Sequence, residues 1–136
     1  MKKNVPKILF ISWAPYCSRS DSIARELGGK SYMVYCEFLG SNFYTIWLKY
    51  LLQTIKSLYI LFKEKPDVVF VMSPPIFACI PAWIFSKIMP KSVYVIDAHT
   101  GSFLNPMWKK VMFLHRFFSK RAIINIVTNP FLANTV

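Results

Sequence analysis

The sequence predicts an α/β protein built on a doubly wound parallel sheet. Short apolar runs recur along the 136 residues, and continuous apolar runs are typical of strands buried on both faces of a sheet. Segments with helical patterning separate these runs, which is the alternation of parallel strands and crossover helices. The length suits one domain, so we assign residues 1–136 to a single domain.

The predicted strands are 8–13, 31–36, 68–72, 92–96 and 123–128. The first strand follows Lys2, Lys3 and Lys7, which imitate the start of a signal peptide. Its apolar run is too short for one, so we interpret it as a core strand. The uncharged segment 68–86 approaches the length of a membrane span, but its prolines favour a strand followed by a helix.

The predicted helices are 21–27, 43–63, 76–89, 107–120 and one that starts after Asn129 and Pro130. Ser20 or Asp21 can cap the first helix, and Gly28 with Gly29 ends it. Asn42 can cap the second helix, and Pro66 ends it. Because the last helix stops at Val136, we expect the domain to be incomplete at its C-terminus.

The helix 43–63 has a wide apolar surface. Its polar stripe consists of Thr45, Lys49, Gln53, Lys56 and Lys63. The apolar arc on the rest of the cylinder is wider than one sheet-facing stripe needs. Two interpretations remain open. The helix is sandwiched between the sheet and a neighbour, or part of the arc meets lipid or a partner chain.

Composition favours a membrane surface as partner. Hydrophobic residues make up 54% of the chain, and 17 Lys and Arg residues against 6 Asp and Glu residues give a net charge of +11. Basic proteins commonly bind anionic membranes or nucleic acids. Nucleic-acid binders are usually basic and polar, whereas this chain is basic and apolar and contains no recognised nucleic-acid-binding motif. We therefore expect no nucleic-acid partner.

The cysteines Cys17, Cys36 and Cys79 are odd in number and form no CxxC pair. This pattern argues against a disulfide framework and against a zinc site. We expect reduced thiols that are buried or half-buried, and neither a metal nor a cofactor.

A candidate site lies where two predicted strands end, at Ser73-Pro74-Pro75 and at Asp97-Ala98-His99-Thr100-Gly101. Ligands of open parallel sheets bind outside the carboxyl ends of the strands. If the chain stays extended, Asp97 and His99 point to the same side, and together they could accept a proton from an attacking hydroxyl. The alternative is that Asp97 caps the loop and His99 is a polar rim residue.

The first loop offers a second candidate. It contains neither a GxGxxG nor a Walker A motif, but Ser18, Arg19 and Ser20 precede a predicted helix. Backbone amides and a guanidinium at that position could hold a phosphate. An ordinary capped loop is the alternative interpretation.

The segment 108–121 mixes basic and aromatic residues. Trp108, Lys109, Lys110 and Arg116 belong to this mixture, and basic side chains beside aromatic ones suit an anionic membrane interface. A core helix with solvated cations is the alternative, and both can hold on one helix. His115 is interpreted as a surface or packing histidine.

The segments Pro66-Asp67-Val68-Val69, Ser73-Pro74-Pro75 and Val95-Ile96-Asp97-Ala98-His99 resemble the N-terminal, Rossmann-like domain of GT-B glycosyltransferases of the family 4 kind. The likeness is nearest to the chitobiosyl-diphosphodolichol β-mannosyltransferases. Ile126-Val127-Thr128-Asn129 also resembles a later strand-to-helix turn of that domain. The order of elements matches from about residue 5 to 136, and the motifs cover about 40 residues.

The resemblance implies the acceptor-side domain of a membrane-associated glycosyltransferase, peripheral on the cytoplasmic face. Asp97 and His99 fall where acceptor-activating residues are expected. The acceptor would be a lipid-linked or other glycan. The expected acceptor-binding residues are Ser18, Arg19, Ser20, Ser73, Pro74, Thr100 and Gly101. A separate or missing domain would bind the nucleotide-sugar donor, so we expect no independent activity.

A second hypothesis is a non-catalytic subunit of a two-chain glycosyltransferase, which recruits its partner to the membrane. In the two-chain N-acetylglucosaminyltransferase of the dolichol pathway, one chain anchors and binds acceptor while the other binds donor, and a solitary N-terminal-type domain with a wide apolar helix would suit that arrangement.

Overall fold

A five-stranded parallel sheet forms the centre of the computed structural model, which describes residues 4–39, 42–128 and 130–134. The strands in this part of the chain are β1 (Ile8–Ser12), β2 (Lys30–Met33), β3 (Val68–Ser73), β4 (Val93–Ala98) and β5 (Ile124–Val127). They lie in the order β2-β1-β3-β4-β5, and every neighbouring pair is parallel. The predicted doubly wound, Rossmann-like class is confirmed.

Helices connect the strands. They are α1 (Ser18–Glu26), α2 (Phe43–Glu64), α3 (Cys79–Ile88), α4 (Gly101–Leu104), α5 (Pro106–Lys109), α6 (Met112–Ser119) and α7 (Pro130–Ala133). Single 3₁₀ turns cover Glu37–Leu39 and Ile76–Ala78. The prediction of one helix over 107–120 was wrong. At the break, Val111 and Leu114 donate to carbonyl oxygens three residues back, and apolar periodicity does not distinguish such a junction from a continuous helix.

Two helix caps differ from the sequence-based expectation. The N-cap of α1 is Cys17, so Ser20 and Asp21 lie inside the first turn of the helix. Asn42 does occupy the N-cap position of α2, but its side chain makes no capping hydrogen bond. Asn105 was not predicted as a cap, and its side chain accepts a hydrogen bond from the backbone N–H of Met107.

Different helices cover the two faces of the sheet. Leu9 and Ile11 of β1 belong to the main core, together with residues of α2, α3 and α6 such as Leu61, Phe85 and Phe118. Side chains alternate along a strand, so Phe10 points to the opposite face, where its ring stacks on Phe70 at 4.3 Å. The buried residues of α1 lie outside the main core. Helix α1 therefore covers the face opposite to α2.

The C-terminal end of α2 is tied to the amino edge of the sheet by Glu64. Its carboxylate accepts hydrogen bonds from Tyr32 Oη at 2.8 Å and Lys30 Nζ at 3.3 Å, and it pairs with Lys7 Nζ at 3.0 Å. These donors lower the pKa of Glu64 to about 2. The rotation of α2 about its axis is thereby constrained at this end.

Gly28 and Gly29 end α1, as predicted, for different reasons. Gly28 has a φ of +68° with open space around it, whereas a Cβ on Gly29 would lie 2.6 Å from the backbone oxygen of Ile8.

We predict that Gly29→Ala lowers the free energy of unfolding by about 1–3 kcal/mol, because β1 must move. Gly28→Asn should cost less than about 1 kcal/mol, since asparagine tolerates a positive φ. Urea denaturation monitored by circular dichroism measures both, and an equal cost would contradict the prediction.

Candidate functional site

The carboxyl edge of the sheet gathers most of the polar side chains singled out in the sequence. Strand β1 ends at Ser12, β3 at Ser73 and β4 at Ala98. The chain connects β1 to β2 on one side and then to β3 on the other, so the connection reverses between β1 and β3. Crevices of this kind are the usual ligand sites of open parallel sheets.

Asp97 and Arg19 form a bidentate ion pair at this edge. Arg19 Nε donates to Asp97 Oδ2 at 2.9 Å, and Arg19 Nη2 donates to Asp97 Oδ1 at 3.0 Å. The Asp97 side chain is only 2% exposed, whereas Arg19 is 41% exposed. The hydrogen bond to Asp97 raises the pKa of Arg19. Both carboxylate oxygens are thus engaged by one guanidinium.

This pair corrects two sequence-based expectations. Asp97 does not open a loop, because β4 continues through it to Ala98. Ser18, Arg19 and Ser20 do not precede α1 but form its first turn. Ser20 is buried and hydrogen-bonded to Ser12 Oγ at 2.8 Å, while Ser18 is exposed. The sequence suggested that these three residues could hold a phosphate. Ser20 and Arg19 are engaged by other side chains, so only Ser18 remains available to such a ligand.

His99 lies beside the ion pair. Its Nε2 is 3.4 Å from Asp97 Oδ2, so the prediction that both side chains point to the same side is confirmed. The imidazole is 31% exposed, although Nε2 itself is buried and makes no hydrogen bond within the described residues, so its contact with Asp97 is electrostatic. A carboxylate near Nε2 favours a proton on that nitrogen, which leaves Nδ1 as the acceptor. This geometry suits His99 as a base and Asp97 as the residue that orients it.

Hydrogen bonds join the neighbouring loops around His99. Ser73 Oγ and Ser102 Oγ are 2.9 Å apart, and Thr100 Oγ1 and Thr128 Oγ1 are 2.7 Å apart. The backbone N–H of His99 donates to the carbonyl oxygen of Ser73 at 2.8 Å. Gly101 begins the unpredicted helix α4, and Pro74 lies at the end of β3. The predicted acceptor-binding residues therefore lie around one edge, although Ser20 is buried there.

A cavity of about 150 Å³ opens on the other face of this edge, beside α2. Its walls are Trp13, Tyr35, Ile46, Lys49, Tyr50, Gln53, Pro74, Pro75 and Trp108. Register places Asp97 on the same face as Phe10 and Phe70, hence on the α1 side. Trp13 alternates with Phe10 and lies on the α2 side. Pro74 of the cavity wall follows Ser73, whose carbonyl oxygen accepts the hydrogen bond from the backbone N–H of His99.

In α2, unlike in an ordinary amphipathic helix, several polar side chains face the protein interior and many apolar side chains face solvent. Its buried residues are Lys49, Gln53, Ser57, Ile60 and Leu61. Trp13 Nε1 donates to Ser57 Oγ at 3.0 Å, which holds the polar face against the sheet. The apolar side chains on the opposite side are exposed, and they are Phe43, Tyr44, Trp47, Leu48, Leu51, Leu52, Ile55, Tyr59 and Phe62. We call this set the α2 apolar face.

Lys49 and Gln53 are the site residues that sequence reasoning missed. They belong to the stripe interpreted as the polar side of the helix, and the natural expectation for such a stripe is contact with water. The signal that could have found them is the width of the apolar arc. Because that arc exceeded what a sheet can cover, a buried polar stripe was an open possibility.

The predicted membrane-facing residues of the segment 106–119 separate into two groups. Lys109, Lys110 and Arg116 are exposed, as the prediction needs. Trp108 is half-buried, and its ring lies 6.4 Å from that of Phe77. Trp108 thus forms part of the cavity wall and is less suited to insert into lipid.

The rest of the described chain offers no metal site or membrane span, and it contains three free thiols and a second cavity. No group of three or more potential metal ligands occurs in 4–39, 42–128 and 130–134. No helix of the described chain is long and apolar enough to cross a membrane. Cys17 and Cys79 are buried free thiols and Cys36 is a half-buried one, as predicted. A larger cavity, about 250 Å³, lies at the amino edge of β4 beside Val93 and Arg121, away from the usual ligand edge.

Comparison with known proteins leaves the resemblance untested. No protein-family model matches the chain, and no curated protein matches it. The likeness to GT-B glycosyltransferases therefore remains a prediction that rests on the motifs at Ser73 and Asp97.

Removal of Arg19 should destabilise the protein more than removal of Asp97. We predict a loss of about 1–3 kcal/mol for Arg19→Met, because it leaves a buried carboxylate without its partner, reduced by the partial exposure of the guanidinium. Asp97→Asn should cost less, since Arg19 can turn to water, and Arg19→Met/Asp97→Asn should recover part of the loss. Urea denaturation of the three variants gives the comparison. Equal costs for the two single variants would show that the pair is not held by burial.

Acid should weaken the fold through His115. This residue of α6 is buried, its Nδ1 lies 3.1 Å from Ser119 Oγ, and burial lowers its pKa. The unfolded chain therefore binds the proton first, so the stabilisation is complete above about pH 6.5 and is lost as pH falls through the lower folded pKa. His115→Phe should show a shallower fall in the free energy of unfolding between pH 7 and pH 5. The same slope in both proteins would exclude this role.

Proposed function

We propose that this chain is the acceptor-binding domain of a membrane-associated glycosyltransferase. A donor-binding domain, in the same or a separate chain, would supply the nucleotide-sugar, and the acceptor would be a lipid-linked glycan at the cytoplasmic face of the membrane. The observation that carries the proposal is the α2 apolar face, a wide exposed apolar surface on the helix that covers the sheet face opposite to Asp97. An exposed lipid-like surface on the same domain as a candidate base suits an enzyme whose acceptor is held in a membrane.

The α2 apolar face has the properties of an interfacial helix. Tyr44, Leu48, Leu51, Ile55, Tyr59 and Phe62 recur at spacings of three and four and form one stripe, and Tyr44 is 88% exposed. Full burial of a Leu or Ile side chain is worth about 1.5–3 kcal/mol. Even partial burial of several such side chains in the headgroup region supports stable binding.

Charge complements this face. Lys56 and Lys63 are exposed and border the stripe on α2, and the chain carries a net charge of +11. A basic side chain near an anionic leaflet adds about 1 kcal/mol of attraction. An anionic lipid surface therefore complements both the apolar side chains of the α2 apolar face and the positive charge beside them.

The chemistry assigned to this domain is acceptor activation. As the acceptor oxygen forms its bond to the sugar, His99 Nδ1 would take the hydroxyl proton, while the bond from the sugar to the nucleotide breaks and the nucleotide leaves with the electron pair. The Asp97 carboxylate, 3.4 Å from Nε2, would stabilise the imidazolium by its charge. Arg19 would hold the Asp97 carboxylate in place through its two hydrogen bonds, so both are positioning residues.

A second candidate is the non-catalytic subunit that recruits a donor-binding partner to the membrane. The observation that favours it is the engagement of both Asp97 oxygens by Arg19, which removes a free carboxylate base from the edge. This candidate keeps the membrane role and drops acceptor activation by His99.

Vesicle co-sedimentation tests the membrane role. We predict that the full chain binds vesicles of phosphatidylcholine and phosphatidylglycerol, and that Leu51→Gln/Ile55→Gln weakens binding by about tenfold or more, because apolar burial is lost. Lys109→Gln/Lys110→Gln is the matched control. It should leave binding to neutral vesicles unchanged and reduce only the anionic component. Full retention by the α2 variant would refute the α2 apolar face as the lipid contact.

The acceptor role is tested with the same vesicles carrying a polyprenyl-diphosphate-linked disaccharide. The acceptor-binding proposal requires tighter binding to these vesicles than to ones carrying the undecorated polyprenyl diphosphate, and His99→Ala should reduce that preference. Membrane binding without any preference for the saccharide would instead select the recruiting-subunit function.

A further inference from the structure

Lys49 is a buried lysine without an anionic partner in the described part of the chain. Its side chain is 5% exposed, and no carboxylate among residues 4–39, 42–128 and 130–134 forms an ion pair with it. None of the hydrogen bonds found among those residues involves its ammonium group. Lysine is almost never buried to this degree unless it is paired.

One neighbour partly compensates the charge. Lys49 Nζ lies over the ring of Tyr35, 3.8 Å from the centroid. A cation–π contact of this kind is worth less than the desolvation of an ammonium group, and it occupies one side of the charge. The ammonium group retains donors that the ring does not use.

Lys49 lines the cavity of about 150 Å³ described above. Lys49 and Gln53 come from α2, Trp13 follows β1, and Pro74 and Pro75 follow β3. The site is therefore built from three elements at the reversal point of the sheet. Its volume of about 150 Å³ is well below that of sites for whole drug-sized ligands, about 300–1,000 Å³. It suits one small anionic group rather than a nucleotide or a saccharide.

We propose that this cavity binds a phosphate group, with the Lys49 ammonium as its principal contact. Lysine is a common phosphate ligand that acts as a point charge. Arg19, the cation that the sequence suggested for a phosphate, is engaged by Asp97. Lys49 is the cation that lines a cavity at this edge and has no ion pair within the described ranges.

The surroundings favour a phosphate attached to an apolar chain. Trp13, Tyr50 and Trp108 supply aromatic walls. The ring of Phe77 lies 5.2 Å from that of Tyr50 in the wall and 5.8 Å from that of Trp47 in the α2 apolar face, so the cavity borders that face. A lipid phosphate could enter the cavity while its chain stays against the helix. The assignment to a lipid-linked acceptor rests on the proposed function, whereas the phosphate site itself does not.

Calorimetric titration of the full chain tests the site without a membrane or a saccharide. The ligands are geranyl phosphate, geranyl diphosphate, inorganic diphosphate and geraniol. Lys49→Met keeps most of the apolar stem, and Lys56→Met removes an exposed lysine of the same helix as a matched control. We expect Lys49→Met to weaken geranyl diphosphate binding about tenfold or more, the loss of one charge-assisted contact, and Lys56→Met to change it less than about twofold.

The four ligands distinguish a lipid phosphate from a free phosphate. Tighter binding of geranyl diphosphate than of inorganic diphosphate, dependent on Lys49, supports a lipid phosphate. Equal binding of the two, dependent on Lys49, supports a free phosphate as ligand. Binding of geraniol as tight as that of its phosphates, or equal affinity of the wild type and Lys49→Met, overturns the proposal, and so does the absence of binding by any phosphate.

Folding of the variant is checked independently. Lys49→Met removes a buried charge, so its midpoint of thermal unfolding should equal or exceed that of the wild type. Geranyl diphosphate should raise the midpoint of the wild type and not that of the variant. Phosphate binding that depends on Lys49 together with no preference for a lipid-linked saccharide would keep this site and reject the proposed function. A preference for the lipid-linked saccharide without phosphate binding that depends on Lys49 would keep the proposed function and reject this site.

Discussion

A helix can place only one of its faces against a sheet, and in α2 that face carries polar residues beside the core residues Ile60 and Leu61. Lys49, Gln53 and Ser57 are buried, and the hydrogen bond from Trp13 to Ser57 joins these polar residues to the end of β1. Most of the apolar side chains of α2 are consequently exposed. Both the cavity lined by Lys49 and the exposed α2 apolar face follow from this single orientation, so the membrane and phosphate proposals share one structural origin.

The second constraint is the pairing of Asp97 with Arg19. A carboxylate buried at the end of β4 needs a partner, and α1 supplies one from the first turn after β1. The pair joins the carboxyl ends of β1 and β4 across the α1 face of the sheet. It also shifts the candidate base from Asp97 to His99, because both carboxylate oxygens already accept hydrogen bonds from one guanidinium. The edge therefore presents an imidazole on one face and an ammonium group on the other.

Much of the fold could be read from local patterns. Continuous apolar runs located β1, β3 and β4 within one or two residues, since strands buried on both faces need no polar positions. Gly28 and Gly29 located the end of α1. The division of 106–119 into α5 and α6, and the extra helix α4, were not predictable in this way. Their junctions contain ordinary residues, and apolar periodicity does not distinguish i→i+3 from i→i+4 hydrogen bonds there.

The site was predicted in part. That Asp97 and His99 would lie together followed from their spacing in an extended chain, because alternate residues share a face. That Arg19 would bind Asp97 did not follow, since the two are 78 positions apart and only the sheet order brings α1 beside the end of β4. By itself, the sequence determined the alternation of strands and helices, the positions of the strand ends and the excess of apolar surface on α2. The tertiary structure decided which face of α2 is covered, because the sheet edge offers Trp13 as a hydrogen-bond donor and Glu64 anchors the other end of the helix, and no local pattern contains those long-range contacts.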